Sequence, residues 1–192
     1  MKNLIKNSTI LAIIALVTFS FTTLNDGDKT IKVEQSKVVW KGYKVTGSHE
    51  GVISLKSGML SFTDGKLTGG EITMDMTSIS NTDMEGDYKT KLEGHLKSDD
   101  FFGVQNHPTS TLVFQNVEAT GKNSYKISGN LTIKGITKPI AFNMSIYGNK
   151  ANASLKIDRT VYDVRYGSTA FFDNLKDKAI YDEFDLVADL EF

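Results

Sequence analysis

Apolar and polar residues alternate with a period of two along most of this chain. The pattern is clearest at residues 125–133, 140–146, 151–157 and 184–192, and a shorter run at 72–76 repeats it. Because successive side chains of a β-strand point to opposite faces, each run predicts a strand with one buried face. Looser runs at 38–45, 51–62 and 111–120 bring the expected number of strands to about eight.

Turn signals separate these runs, so most consecutive strands are expected to form hairpins. The signals are Asp64 followed by Gly65, and the stretches 121–123, 135–139 and 148–149. Gly58 lies where apolar residues change from odd to even positions, and a β-bulge there would exchange the faces. The sequence thus predicts an all-β antiparallel fold, either a closed up-and-down barrel or a sandwich. Eight strands suffice for a barrel that holds one small ligand.

Two stretches interrupt the strand pattern and predict short helices, in insertions at 81–106 and 159–182. Tyr88, Leu92 and Leu96 have helical spacing, and Ser98 is expected to cap a second short helix. The segment HLKSDDFF at 95–102 is interpreted as a structural corner, with Phe101 and Phe102 packed against the barrel. The insertion at 159–182 is rich in aromatic residues, and an insertion of about 20 residues in a compact domain is usually functional.

The first 23 residues have the layout of a secretory signal peptide. Lys2 and Lys6 precede an apolar run at 10–21, which is short for a membrane span. The predicted organisation is a signal peptide at 1–23, a polar lead-in at 24–35 and a single domain at 36–192. This domain would be periplasmic or secreted, and after processing it would not be an integral membrane protein.

Composition excludes several classes of function. The chain has no cysteine, which rules out thiol chemistry, and a domain of this size can be stable without disulfides. The formal net charge is −1, and loss of Lys2 and Lys6 would make it −3, so nucleic acid is not an expected partner. The histidines at 49, 95 and 107 lack metal-site spacing, and no catalytic motif is found. We therefore expect no metal, no cofactor and no enzyme activity.

The apolar residues on the predicted buried faces are the stronger functional signal. Phenylalanine and methionine together suit an adaptable apolar cavity, although any single residue among them fits a filled core equally well. The candidate ligand-binding residues on these faces are Phe62, Met74, Met76, Phe114, Ile133, Phe142, Met144, Phe184 and Leu186.

Five segments carry a resemblance to a known family, in the order in which that family has them. They are SKVVWKGYKVTGSHEG (36–51), GGEITMDMTSIS (69–80), KLEGHLKSDDFFGVQNHP (91–108), SGNLTIKGITKPIAF (128–142) and DRTVYDVRYGS (158–168). The sequence resembles the YceI-like family of bacterial exported lipid- or polyisoprenoid-binding proteins. This resemblance implies an eight-stranded, lipocalin-like barrel whose interior is a tunnel for a long apolar chain. Phe101 and Phe102 join the candidate ligand-binding residues through the resemblance, which implies that their corner is a lid or wall at one end of the cavity.

On this resemblance, the expected function is sequestration or transport of a polyisoprenoid, an isoprenoid quinone or a fatty-acyl lipid. Family members are usually periplasmic or secreted, and some are tied to stress responses. His49, His95 and Arg159 are the polar candidates for contact with a head group. Two alternatives remain: an enzyme acting on such a lipid, and a structural or stress-related domain without a cavity ligand. For assembly, a homodimer is the alternative to a monomer.

Overall fold

A computed structural model describes residues 26–192, so the predicted signal peptide lies outside the described part of the chain. Nine strands and one α-helix account for most of it. The helix, α1, spans Gly86–Lys97. The strands are β1 Gly27–Thr30, β2 Lys37–Lys44, β3 Gly47–Thr63, β4 Lys66–Asn81, β5 Thr109–Ala119, β6 Ser124–Ile133, β7 Ile136–Tyr147, β8 Lys150–Asp158 and β9 Ile180–Glu191.

Strands β2 to β9 form a closed antiparallel barrel. Each pairs with its neighbour in sequence, and β2 pairs with β9 to close the ring. The short β1 pairs with the far end of β3, where Gly27 lies opposite Phe62. The predicted all-β fold, an eight-stranded up-and-down barrel, is therefore confirmed. Closure satisfies the backbone hydrogen bonds that an open sheet would leave at its edges.

Side-chain alternation fills the barrel interior. On β6, Tyr125, Ile127 and Leu131 are buried while Lys126 and Asn130 are exposed, as the pattern predicts. The same period buries the inward-facing residues of β7 and β8. The core lies inside the ring, and the insertions follow β4 and β8.

Irregular pairing between β3 and β4 adjusts which residues face inward. Lys56 is the extra residue between the pairs Leu55–Met74 and Ser57–Thr73, so the change of face predicted at Gly58 occurs two residues earlier. Gly58 instead makes room for β1, because a Cβ atom there would lie 2.6 Å from the Cδ1 atom of Ile31.

A second irregularity lies within β4, where residues 76–79 oppose a single residue of β3. Asp75 organises it, since its carboxylate accepts hydrogen bonds from the backbone N–H and the hydroxyl of Thr77. This extra length directs both Met76 and Ile79 into the interior. Asp75 lies on the polar phase of the alternation in β4, and its role here depends on the local pairing.

The two insertions lie at the same end of the barrel, where β4 and β8 finish. The helix predicted from the spacing of Tyr88, Leu92 and Leu96 is confirmed as α1. Residues 98–106 form hydrogen-bonded turns, including one from the Gly103 N–H to the Ser98 carbonyl, and the second helix expected from Ser98 is absent from them. The 159–182 insertion contains the short 3-10 helices Arg159–Tyr162 and Lys176–Lys178.

Within residues 26–192, no helix has the length and apolar character needed to cross a membrane.

Candidate functional site

An apolar cavity of about 150 Å³ lies inside the barrel. All eight strands of the ring contribute to its lining, and Leu96, Phe101 and Phe102 cover it from the insertion end. At the other end the barrel is filled, because Phe62 packs on Phe192 with ring centroids 5.5 Å apart and neither residue reaches the cavity. A cavity of about 150 Å³ takes a benzene-sized group, so a longer chain requires side chains to move.

Most of the predicted ligand-binding residues line this cavity. They are Met74, Met76, Phe101, Phe102, Ile133, Phe142, Met144, Phe184 and Leu186. Phe62 and Phe114 are buried outside it, the latter packed edge-on against Phe142 with ring centroids 5.8 Å apart. The three lining methionines supply the conformational freedom with which the cavity can enlarge.

Several lining residues were not singled out from the sequence, although the strand pattern already placed many of them on buried faces. Ile157, Leu155 and Ala153 share one face of β8, and Leu131 shares a face with Ile133. Trp40 belongs to a run with looser alternation, and its inward orientation follows from its pairing opposite Gly51. The aliphatic residues of this set, together with Trp40, are Val38, Trp40, Ile53, Ile72, Ile79, Leu96, Leu112, Leu131, Ala153, Leu155, Ile157, Ile180, Ala188 and Leu190.

Polar side chains at the cavity wall are few. The Ser110 hydroxyl donates to the Thr132 carbonyl at 2.7 Å, and the Tyr43 hydroxyl donates to the Asp185 carboxylate at 2.6 Å. The hydrogen bonds from Tyr43 and Lys156 hold the pKa of Asp185 below its usual value. Trp40 differs, because its indole N–H is buried and has no hydrogen-bond partner among residues 26–192.

Arg159 lines the cavity, but its guanidinium group serves the insertion. The side chain is 2% exposed. It donates to the carbonyls of Val164, Ile180 and Tyr181 at 2.7, 3.1 and 3.1 Å, respectively, and lies 3.6 Å from the Asp182 carboxylate. Burial lowers the pKa of Arg159, and Asp182 opposes that effect. The group thus anchors both ends of the 159–182 insertion, and its contact with a head group stays a prediction.

The two candidate histidines lie outside the cavity lining. His95, on α1, packs against Tyr166 and Phe101 with ring centroids 4.3 and 5.5 Å apart, so it joins the helix to the second insertion. His49 lies on β3, and its Nδ1 atom is 3.2 Å from the Asp83 carboxylate. Neither position brings an imidazole into the cavity.

A surface groove adjoins the cavity at the seam between β2 and β9. Tyr43, Ile180 and Tyr181 line both. Here the pairing of the two strands is interrupted: residues 181–183 of β9 lie opposite Tyr43 alone. The strand pairing of the barrel wall is therefore interrupted where the cavity adjoins the groove.

The described lining contains neither a carboxylate nor a histidine side chain. Across residues 26–192, no group of three or more histidine, aspartate or glutamate side chains is arranged to hold a metal ion. The arrangement is suited to retaining an apolar molecule, with shape and desolvation as the main source of binding free energy.

Comparison with known sequences places this chain beside bacterial relatives. Residues 30–192 match the YceI-like domain. A UPF0312 protein of Azotobacter vinelandii is 30% identical over 83 residues, which cover 43% of this chain and 41% of the relative. A UPF0312 protein of Pseudomonas aeruginosa is 35% identical over 78 residues, covering 41% and 37% of the two chains. The matched segment thus spans less than half the length of these relatives.

Two solved structures have the same fold. Burkholderia cenocepacia BcnA superposes with a TM-score of 0.66 at 21% identity, covering 83% of this chain and 98% of its own. A polyisoprenoid-binding domain from Saccharophagus degradans, implicated in plant cell wall breakdown, superposes with a TM-score of 0.60 at 14% identity, with coverage of 86% and 97%. At these identities the likeness concerns the fold.

Proposed function

The chain belongs to the YceI-like family, and from that membership we propose that it binds a long apolar molecule inside its barrel. The ligand class is a polyisoprenoid, an isoprenoid quinone or a fatty-acyl lipid, which the protein sequesters or carries. The observation that carries the proposal is the apolar cavity of about 150 Å³ inside the closed ring. The polyisoprenoid-binding domain of Saccharophagus degradans, which has the same fold, supports the choice of ligand.

Apolar burial provides the binding free energy. Each buried methylene contributes about 0.8 kcal/mol, so ten of them contribute roughly 8 kcal/mol before the costs of association. Those costs take several kcal/mol, and micromolar affinity requires about 8 kcal/mol net, so a ligand must bury roughly 15 or more methylenes to reach it. Movement of Met74, Met76 and Met144 would extend the cavity along the barrel, at a small cost in rotamer energy.

Export belongs to the same proposal. The signal-peptide layout of residues 1–23 supports a periplasmic or secreted location, where a carrier can shield an apolar molecule from water. Cell fractionation of the native host, with N-terminal sequencing of the mature protein, tests this part. Full-length protein confined to the cytoplasm would refute it.

Two measurements test whether the protein retains an apolar ligand. Native mass spectrometry of the protein purified from its native host is expected to show a co-purifying apolar molecule, and delipidated protein is expected to take up a polyprenyl or fatty-acyl probe. Empty extracts together with no uptake would overturn the proposal.

A filled-cavity variant makes the test specific to the barrel interior. Ala153 is 3% exposed and lines the cavity, so Ala153→Phe should occupy the space and reduce uptake at least about tenfold. Ala141→Phe adds the same ring at an exposed position on β7 and should bind like the wild type. Equal uptake by both variants, each folded by circular dichroism, would place binding elsewhere.

A further inference from the structure

Trp40 stands in the middle of β2, with its indole ring inside the barrel. It pairs with Gly51 on β3 and with Leu186 on β9, and it is 8% exposed. The ring lies across Gly51, because a Cβ atom at that position would be 2.6 Å from the indole Cζ2 atom. Residue 51 therefore has to be small for the indole to lie flat against the barrel wall.

The indole N–H is a buried donor without a partner among residues 26–192. Burial of such a group without a hydrogen bond is costly, and buried tryptophans usually find an acceptor. The other buried polar side chains of the cavity wall are satisfied: Ser110 and Arg159 donate to backbone carbonyls. The cavity wall thus has one buried side-chain donor for which the described protein atoms provide no acceptor.

Packing against Gly51 requires an aromatic ring but does not require its N–H group. A phenylalanine would also present an aromatic face to Gly51 and would carry no N–H to desolvate. What the indole adds is a donor without a protein acceptor among the described residues, in a lining that is mostly apolar. In apolar pockets, a few placed polar groups set the orientation and the specificity of the ligand.

We propose that the Trp40 indole N–H donates a hydrogen bond to a neutral carbonyl oxygen of the bound molecule. This inference rests on the proposed binding function and narrows its ligand class to an apolar chain that carries a carbonyl group within the barrel. A carboxylate is disfavoured, because a buried anion needs a cation whose charge is not already paired. At this wall the cation is the Arg159 guanidinium, each of whose three nitrogens donates to a backbone carbonyl and whose charge is paired with Asp182.

The chain contains a single tryptophan, so one indole resonance reports the interaction. We would titrate ¹⁵N-labelled protein with pentadecane and with two ketones of the same length, which carry the carbonyl at the second or at the middle carbon. All three should perturb resonances of cavity residues. A ketone whose carbonyl reaches Trp40 should also move the indole proton to lower field, and should bind about fivefold more tightly than the alkane.

The Trp40→Phe variant provides the matched comparison. It should lose the fivefold preference for the ketone, and the readout is the ratio of the ketone and pentadecane affinities measured on the same variant, because the smaller ring also changes the cavity that both ligands share. If the variant does not fold, the indole resonance of the wild type still decides the question. Binding of ketone and alkane with equal affinity and equal indole shifts would overturn the inference while leaving the binding function intact.

Two further outcomes are distinguishable. A fatty acid of the same length that binds more tightly than the ketone, and shifts the indole proton further, would overturn the neutral-carbonyl class. Failure of all probes to perturb any cavity resonance would remove the proposed function itself, and the inference with it.

Discussion

Gly51 shows how one missing side chain shapes the cavity. A Cβ atom there would lie 1.9 Å from the Ser80 carbonyl oxygen and 2.6 Å from the Trp40 ring. The first contact is with backbone, which cannot move aside as a flexible side chain can. The position of the indole, and with it the shape of the cavity wall, depends on this glycine.

We expect Gly51→Ala to destabilise the protein by about 3 kcal/mol, since strands β3 and β4 must separate locally. Gly94→Ala is the control: nothing lies within 4 Å of the new Cβ atom, and the residue is within α1. That change should stabilise by roughly 0.5–1 kcal/mol. Urea unfolding measures both, and equal stabilities would contradict the packing described for Trp40.

Arg159 is the second residue on which local structure depends. Arg159→Met should cost about 3 kcal/mol, because three backbone carbonyls lose a charged donor in a buried setting. Arg165→Met is matched in chemistry, but that side chain is 57% exposed and should change stability by no more than about 0.5 kcal/mol. Thermal unfolding distinguishes the two, and similar melting temperatures would show that the guanidinium does not anchor the insertion.

At the scale of elements, α1 is tied to the end of β4 by a carboxylate. Glu93 accepts hydrogen bonds from the Asn81 backbone N–H at 2.9 Å and the Ser80 hydroxyl at 2.8 Å. The first of these, aided by Ser80 and nearby lysines, lowers the pKa of Glu93 from its ordinary value of 4.5. Ionised Glu93 therefore holds the helix to the barrel.

Because the pKa of Glu93 is lowered in the folded protein, the attachment of α1 to the barrel depends on pH. Because the folded pKa is depressed, the stabilisation is complete above the ordinary value and is lost as the pH falls through the folded pKa. Hydrogen exchange of residues 81–97 should therefore accelerate, relative to the intrinsic rate, between about pH 5 and pH 3. Glu93→Gln keeps an acceptor oxygen and should flatten this dependence. An unchanged profile in that variant would exclude Glu93 as the titrating group.

The corner at 98–104 covers the cavity through two aromatic rings. Phe101 and Phe102 are buried, and their ring centroids lie 5.0 Å apart. Replacing both with alanine should cost about 4 kcal/mol or more and weaken lipid retention. Phe171→Ala with Phe172→Ala is the matched control, since these rings are 44% and 49% exposed. Unfolding and ligand titrations measure both effects. A corner variant indistinguishable from the wild type would refute the covering role.

At the scale of the whole molecule, a cavity ligand and the barrel should stabilise each other. A ligand bound by the folded state alone adds about 2.7 kcal/mol of stability at a free concentration 100 times its dissociation constant. The melting temperature should rise with ligand concentration in the wild type and stay constant in Ala153→Phe. A constant melting temperature in the wild type, despite measured binding, would indicate that the ligand also binds the unfolded chain.

The sequence predicts the strands well because their period depends on local geometry alone. The alternation on β6 places each buried residue correctly, and α1 follows from helical spacing. What it does not predict depends on contacts between distant segments. The four residues of β4 opposite one on β3, and the use of Arg159 by the insertion, become visible only once the partners are known.

The sequence likewise predicts the positions of some candidate site residues and not of others. Met74 and Phe142 line the cavity as their strand phase predicts, whereas Phe62 has the correct phase but lies at the filled end. Phase indicates the face of a strand and carries no information on height along the barrel. The histidines lie outside the cavity lining and contact residues that are far from them in sequence. His49 meets the Asp83 carboxylate, and His95 packs against the Tyr166 ring.

The interrupted seam between β2 and β9 bears on rates as well as on affinity. Three residues of β9 opposite Tyr43 leave a stretch of wall with reduced backbone pairing, next to both cavity and groove. A ligand that crossed the wall there would need a local opening of the barrel, and not the unfolding of the whole ring. The residence time of a bound ligand and the free energy of unfolding of the barrel then depend on different parts of the structure. A substitution at the seam can change the first without changing the second.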